Sequence, residues 1–425
     1  MKDRIVVTAI EKMFDQRRLS DDDVRGSVAG FIDGTVSDLT IATWLGAFAA
    51  RDVDFDEVKS LTDAYIASGR QMESGPRSGP VPVDKHSSGG VGDKVSLTAL
   101  PVISAMGIPV LKLSGGALGL AGGTADKLAS IPGFRVQLGH SELESILARS
   151  NLVIGSQTAD LCPGDSATYR VRDLCGAVKS AALIAASIVS KKVAAGSTRV
   201  VYHIKWGEAG LVSDEASARG LGELIDALSR AYGIKSKIVY SAIYSPAGYC
   251  VGNLLEVIEA RRFLGGHSAH PTLREEVYAV CRALLEVASF DPADADRKIT
   301  TAIENGDAVA TFDRWLVAQG ADKEFVDDPE LYFSSLEPER RPVHAKRSGI
   351  VARIDPLGIA EIAATLGSAK EAIDDCIDPV AGIELKVEVG TEVSAGDVIA
   401  TLWSGQPISE HLELLSYNSI VFAAD

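Results

Sequence analysis

Residues able to do chemistry gather in three stretches. The first runs Asp84-Lys85-His86-Ser87-Ser88-Gly89-Gly90-Val91-Gly92-Asp93-Lys94-Val95-Ser96. Gly89, Gly90 and Gly92 let main-chain N–H groups converge on an anion without side-chain obstruction. Lys85 adds a cation, and Ser87 and Ser96 add hydroxyl donors. A helix opening near Ser96 would point its positive end at the same place. A plain tight turn between strand and helix would also fit; the lysine, histidine and hydroxyls favour a phosphate site. The second stretch, Lys112 to Leu128, repeats the logic, with Ser114 ending a strand and Thr124 where a helix N-cap belongs. Two such loops at the carboxyl ends of strands would line a crevice, the usual ligand position in an open α/β sheet. Neither is a Walker A loop or a Gly-x-Gly-x-x-Gly fingerprint, so nothing supports a nucleotide-triphosphate or dinucleotide site. The third stretch is Tyr169-Arg170-Val171-Arg172-Asp173, followed by Ser187 to Lys192. Ser187 and Lys191 share a helical face, which by itself is an ordinary solvated face.

These stretches need elements to position them. The first seventy or so residues read as helices: Val58, Leu61 and Tyr65 repeat at helical spacing, and Gly69 sits where a C-terminal cap would be. Ser74 to Pro82 has the Pro, Gly and Ser content of a hinge. From Val81, short β-like runs alternate with glycine-rich turns and helices. Ala177 to Ala195 is helical again, and Val200 to Ile204 resumes the alternation. From about Arg341, runs such as Ile383–Val389 and Asp397–Trp403 suggest a small β-rich module with helices. The expected class is α/β: a small all-helical domain, a larger α/β domain with a mainly parallel sheet, and a C-terminal α+β module. The segments are helical 1–73, hinge 74–82, α/β 83–160, helical 161–195, α/β 196–340 and the module 341–425.

The totals exclude several classes. A net charge of −16 over 425 residues argues against nucleic acid or an anionic membrane as partner. Five scattered cysteines form no CxxC pair and suit a reduced compartment. The N-terminus lacks the apolar core of a signal peptide, and Ala181 to Val189 is too short to cross a bilayer, so a cytoplasmic protein is expected. His267-Ser268-Ala269-His270 is weak as a metal site and reads as a surface loop. Val389 to Ile399 looks like a biotinyl/lipoyl-type hairpin, but residues 390–403 hold no lysine to modify, which leaves a structural role. Asp21-Asp22-Asp23 reads as a solvated face.

Taken together, the three stretches resemble the thymidine/pyrimidine-nucleoside phosphorylase family. That family carries Lys-His-Ser-x-Gly-Gly-Val-Gly-Asp, then a Ser-Gly-Arg-Gly-Leu-Gly-His-Thr-Gly-Gly-Thr-x-Asp-Lys-Leu loop, then Tyr-x-x-Arg-Asp with a Ser and a Lys on the next helix. The matches fall in the same order and spacing, joined by Ser130-Ile131-Pro132-Gly133-Phe134, Val251-Gly252-Asn253 with Leu255-Glu256-Val257, Ile377-Asp378 and Val380-Ala381-Gly382-Ile383. The resemblance implies a homodimer in which a helical domain faces an α/β domain across a cleft that closes by hinge motion. It implies phosphate binding through Lys85, Ser87, Ser96, Ser114 and Thr124, and base binding through Tyr169, Arg172, Ser187 and Lys191. His86, Arg172 and Lys191 become the catalytic groups: phosphate attacks the anomeric carbon while the pyrimidine leaves as an anion, stabilised by the two cations and by the histidine. Inorganic phosphate is the co-substrate; no metal or organic cofactor is called for. Some relatives bind a monovalent cation near the first loop. Here Lys94 follows Asp93 where relatives have a small residue, so its ammonium is expected in the cation's place, facing Glu256.

The second loop departs from the pattern. Gly116 stands for the family's Arg, Leu120 for its His, Ala121 for its first Thr and Ala129 for its Glu. His203-Ile204-Lys205-Trp206-Gly207 stands for Asp-Val-Lys-Val-Gly. Lys112 lacks the fork of the missing arginine. Two alternatives follow: an anthranilate-type phosphoribosyltransferase, which needs Mg²⁺ and a diphosphate substrate, or a non-catalytic nucleoside-binding protein on the same fold.

Overall fold

The computed structural model describes residues 2–72, 80–115, 122–156, 158, 160–267, 269–291, 293–369 and 376–423. Gly116, Leu120, Ala121, Ser268 and residues 74–79 of the expected hinge lie outside them. Helices α1 (Lys2–Phe14), α2 (Asp21–Ile32), α3 (Asp38–Ala49) and α4 (Phe55–Ala67) open the chain. The Ser20, Ser37 and Asp54 side chains cap the last three by accepting first-turn N–H groups. Alternation follows through β1 (Asp84–Ser87), α5 (Val95–Ala105), β2 (Val110–Ser114), α6 (Thr124–Ala129), α7 (His140–Ser150) and β3 (Leu152–Ser156). Next come α8 (Pro163–Leu174), α9 (Ala181–Ala194), β4 (Arg199–Trp206), α10 (Glu215–Ala231), β5 (Lys235–Ala242), β6 (Cys250–Gly252), α11 (Asn253–Leu264) and α12 (Pro271–Val287). After further helices between Ala295 and Ser335, the tail contributes β7 (Glu339–His344), β8 (Gly349–Ile354), β9 (Gly382–Leu385), β10 (Glu392–Val393), β11 (Val398–Ser404) and β12 (Ile420–Phe422).

The chain divides into two compact units: Met1–Val81, Gln157–Val200 and Ala216–Ile238 form one, and Pro82–Ser156, Val201–Glu215 and Val239–Asp425 the other. Most of α10 therefore belongs with the helices, where the sequence reading gives it to the α/β segment 196–340. The cause is a long-range anchor: Tyr232, just past α10, donates to Asp63 Oδ1 of α4 at 2.6 Å, with Lys59 over its ring at 5.3 Å. The expected cap at Gly69 also differs. Its φ is not positive; a Cβ there would lie 2.3 Å from Asp160 O and 2.4 Å from Pro163 Cδ, so close packing, not a left-handed turn, demands glycine.

In the second unit β2 and β3 pair in parallel from Val110↔Leu152 to Ser114↔Ser156. Val83 bridges Val110 in parallel, and β1 continues to β4 and β5. Helix α5 has every residue from Val95 to Ser104 buried, the mark of a helix enclosed on all sides. The tail does not stand apart: β6 pairs with β9 in the antiparallel sheet β6-β9-β11-β7. The five cysteines are free.

Candidate active site

Strand β1 delivers Lys85, His86 and Ser87, and the glycine loop then turns into α5. Gly92 has φ +69°, and a Cβ there would meet the Ala247 N and O and Cys250 O atoms at 3.3 Å, so the turn excludes any side chain. Lys85 Nζ donates to Ser96 Oγ at 3.2 Å, and both residues are buried. Burial is the main force on Lys85 and pulls it down to about 8, with Asp93 opposing. Ser87 Oγ donates to Asp93 Oδ2 at 2.5 Å. Two further lysines brace the main chain: Lys112 Nζ donates to Lys85 O at 2.6 Å and Lys127 Nζ to Asp93 O at 2.9 Å. Ser114 ends β2 as expected. Thr124, however, is the first residue inside α6 rather than its cap; Gly123 is the cap, and Asp126 Oδ2 accepts its N–H at 2.9 Å.

Lys94 is wholly buried. Its ammonium donates to Gly92 O (2.8 Å), Ala247 O (2.6 Å) and Cys250 O (3.1 Å), pairs with Glu259 Oε2 at 3.0 Å, and lies 4.0 Å from Glu256 Oε2. Burial alone would lower it, but Glu259 and Glu256 outweigh that and hold Lys94 above the usual lysine value. Glu256 is shared with Lys127 at 2.8 Å. The expected pairing with Glu256 is thus a longer contact, with Glu259 the nearer carboxylate.

Asp93, His203 and Glu276 bring metal-ligand types within 4.8 Å of one another, all buried. Lys205 fills the charge role among them, 2.7 Å from Glu276 Oε2 and 3.5 Å from Asp93 Oδ1. Lys205 and Lys85 override burial to hold Asp93 well below the carboxylate range, while burial and the same two lysines press His203 well below the usual histidine value. His203 is accordingly neutral, with Nε2 2.8 Å from Ser241 Oγ. His86, half-buried on β1, lies 6.5 Å from the Tyr202 ring, centroid to centroid. Among the histidines assigned to a surface loop, His267 is exposed, but His270 is buried, caps α12 by accepting Thr272 N–H at 3.2 Å, and packs on Tyr249.

The helical unit holds the other cluster. Pro163 starts α8, and Tyr169 and Arg172 stand one turn apart on it, the guanidinium 4.5 Å from the ring centroid. Helix α9 supplies Ser187 and Lys191. Lys191 Nζ donates to Ser187 Oγ at 3.2 Å, lies 5.5 Å from the Tyr169 ring and pairs with Asp165 Oδ2 at 2.6 Å. The four expected side chains converge, and the Ser187/Lys191 pair is no solvated face: Ser187 is buried, and Lys191 is 16% exposed. Arg172 is buried, makes no ion pair among the described residues, and its Nε has no hydrogen-bond partner. An unanswered buried guanidinium beside an aromatic face is poised for a planar ligand with carbonyl oxygens. Sequence reasoning missed Asp165, Glu259, Glu276 and the roles of Lys127 and Lys205. Nothing in the sequence marks them off from solvated charges on the same helices and strands.

Three family models match: "Glycosyl transferase family, helical bundle domain" over residues 7–69, "Glycosyl transferase family, a/b domain" over 79–309 and "Pyrimidine nucleoside phosphorylase C-terminal domain" over 350–422. The chain is 31% identical to the pyrimidine-nucleoside phosphorylase of Geobacillus stearothermophilus, over 99% of this chain and 96% of that protein. It is 33% identical to the Bacillus subtilis pyrimidine-nucleoside phosphorylase over 99% and 96%. With human thymidine phosphorylase the identity is 34%, over 90% and 81%. Among solved structures, anthranilate phosphoribosyltransferase from Thermus thermophilus aligns with TM-score 0.56 at 17% identity, covering 73% of this chain and 99% of that one, a likeness of fold.

Proposed function

The chain belongs to the pyrimidine-nucleoside and thymidine phosphorylase family, and we infer that it carries out that family's exchange, in which inorganic phosphate displaces a pyrimidine from C1 of ribose or 2-deoxyribose. It is a pentosyltransferase. A phosphate oxygen bonds to the anomeric carbon as the glycosidic C–N bond breaks, and the bonding pair leaves with the base. The negative charge spreads onto the ring carbonyl oxygens, where Arg172 and Lys191 stabilise it and His86 donates a hydrogen bond or proton. Tyr169 and Ser187 hold the ring; Lys85, Ser87, Ser96, Ser114 and Thr124 hold the phosphate.

The observation that supports this most is the buried Arg172 guanidinium against Tyr169, its Nε without a hydrogen-bond partner among the described residues, in the cluster with Lys191 and Ser187. Guanidinium and ammonium offer donors only, so they suit the two carbonyl oxygens of uracil and thymine; cytosine has an amino donor in place of one of them. In this reading Lys94 takes the role of a monovalent cation, since three carbonyls and a carboxylate already surround its ammonium.

We further propose a homodimer built on the helical unit. Arg170 of α8 reaches Asp38 of α3 at 3.7 Å, and the same two helices carry Leu39 and Leu174, 79% and 85% exposed. No helix among the described residues is long and apolar enough to cross a membrane. Free cysteines support a reduced, cytoplasmic setting.

The test is release of free base from uridine, thymidine, deoxyuridine and cytidine, with and without phosphate, for the wild type and His86→Ala. Release that needs phosphate, excludes cytidine and falls in the variant by roughly 10² to 10⁴ fits the reading. Release independent of phosphate, or diphosphate formed from a phosphoribosyl diphosphate, contradicts it.

A further inference from the structure

Asp165 has no part in the base-binding scheme drawn from the motifs, yet it is the carboxylate paired with Lys191. It is 1% exposed, on the first turn of α8, and its Oδ2 lies 2.6 Å from Lys191 Nζ. The oxygen accepts no directed hydrogen bond, so the contact is an ion pair approached off-axis. Asp165 does not cap α8: no side-chain cap hydrogen bond is made, the Asp165 and Ser166 N–H groups go to Cys162 O, and Gly164 N–H goes to Ser68 Oγ. Its charge is felt by its neighbours. Burial first, and Asp165 second, push the Cys162 thiol up to about 12 and the Tyr65 hydroxyl up as well.

An ammonium has three N–H donors. Ser187 Oγ takes one, and Asp165 stands beside the ammonium as its counter-ion without a directed bond, which leaves N–H donors for a ligand. Arg172, one turn from Tyr169, has no carboxylate among the described residues. The two cations therefore differ: Arg172 brings uncompensated charge, and Lys191 brings a directed donor.

We propose that Asp165 is a positioning residue that holds the Lys191 ammonium in place, so that a free N–H meets a carbonyl oxygen of the pyrimidine. The inference rests on the function proposed above. Asp165→Asn keeps the shape and removes the charge, and Asp165→Glu keeps the charge on a longer arm. In the full-length protein, Asp165→Asn lowers kcat/KM for the nucleoside on the order of tenfold to a hundredfold, the range seen when an orienting partner is removed. KM for phosphate stays unchanged. Asp165→Glu recovers part of the loss. A second readout does not depend on turnover: equilibrium dialysis of labelled uracil and thymine against the full-length protein shows weaker binding to Asp165→Asn and partial recovery in Asp165→Glu. Unchanged base binding with an unchanged kcat/KM overturns the proposal, as does an equal loss on phosphate. Absence of turnover in the wild type would contradict the function reading instead, and base binding would still decide the role of Asp165.

Discussion

At the scale of single residues, function turns on charges that the fold buries and on how each is answered. Arg172 has no answering carboxylate in the described structure, so Arg172→Met costs kcat about 10² to 10³-fold, with the phosphate KM unchanged, in steady-state kinetics on both substrates. Lys85 is the reverse case, a cation whose burial loosens its proton to about 8. Phosphate affinity therefore weakens as Lys85 loses its proton, so KM for phosphate rises through pH 8 to 9. The same shift has a stability sign: the folded value lies below the unfolded 10.5, so the burden of the buried charge is fully present below about pH 8 and is relieved as pH climbs towards 10.5. Lys94 is both buried and answered. Lys94→Ala leaves carbonyls and carboxylates facing an empty space, at roughly 3 to 5 kcal/mol. Potassium or sodium salts, but not choline chloride, restore the melting temperature of the variant and leave the wild type unmoved; a variant deaf to the cation contradicts the assignment. The first glycine loop was legible in the sequence because residue type and spacing carry it; the Tyr169, Arg172, Ser187, Lys191 set came from the family resemblance, since the spacing of Ser187 and Lys191 alone is that of a solvated face. Asp165 and Glu259 were not, since a buried acid is written like a solvated one until its partner is known.

Elements decide whether those residues meet. Helix α8 carries Tyr169, Arg172 and Asp165, and its start is packed against the end of α4: Gly164 N–H reaches Ser68 Oγ, Arg70 N–H reaches Asp160 O, and no Cβ fits at Gly69. Gly69→Ala is expected to lower stability by about 1 to 3 kcal/mol, the range of overpacking, and to reduce nucleoside turnover more than phosphate binding. Thermal unfolding and separate KM values check this; a variant as stable as the wild type contradicts it. The alternation of strand, glycine turn and helix was readable from Val81 onward because period and breakers are local. Two features were not. The attachment of α10 to the helical unit depends on Tyr232 finding Asp63, far away in sequence. The joining of β6 to β9 depends on Gly252 and Gly382 passing so closely that a Cβ at Gly252 would lie 2.4 Å from Ala381 O.

At the scale of the whole molecule, the pentosyltransferase is proposed to depend on phosphate and to work as a pair. Leu39→Glu with Leu174→Glu places charge at two exposed leucines of α3 and α8; sedimentation is expected to show a dimer for the wild type and a monomer for the double variant, and a wild-type monomer contradicts the assembly. The central claim is the exchange itself. ³¹P NMR of the protein with uridine or thymidine and inorganic phosphate follows it directly, alongside the ultraviolet signal of free base. The account predicts that the phosphate resonance is replaced by that of a sugar 1-phosphate, one for each base released, and that Arg172→Met slows both together. Base released while the phosphate resonance stays whole would mean that water, not phosphate, is the nucleophile, and would contradict the account.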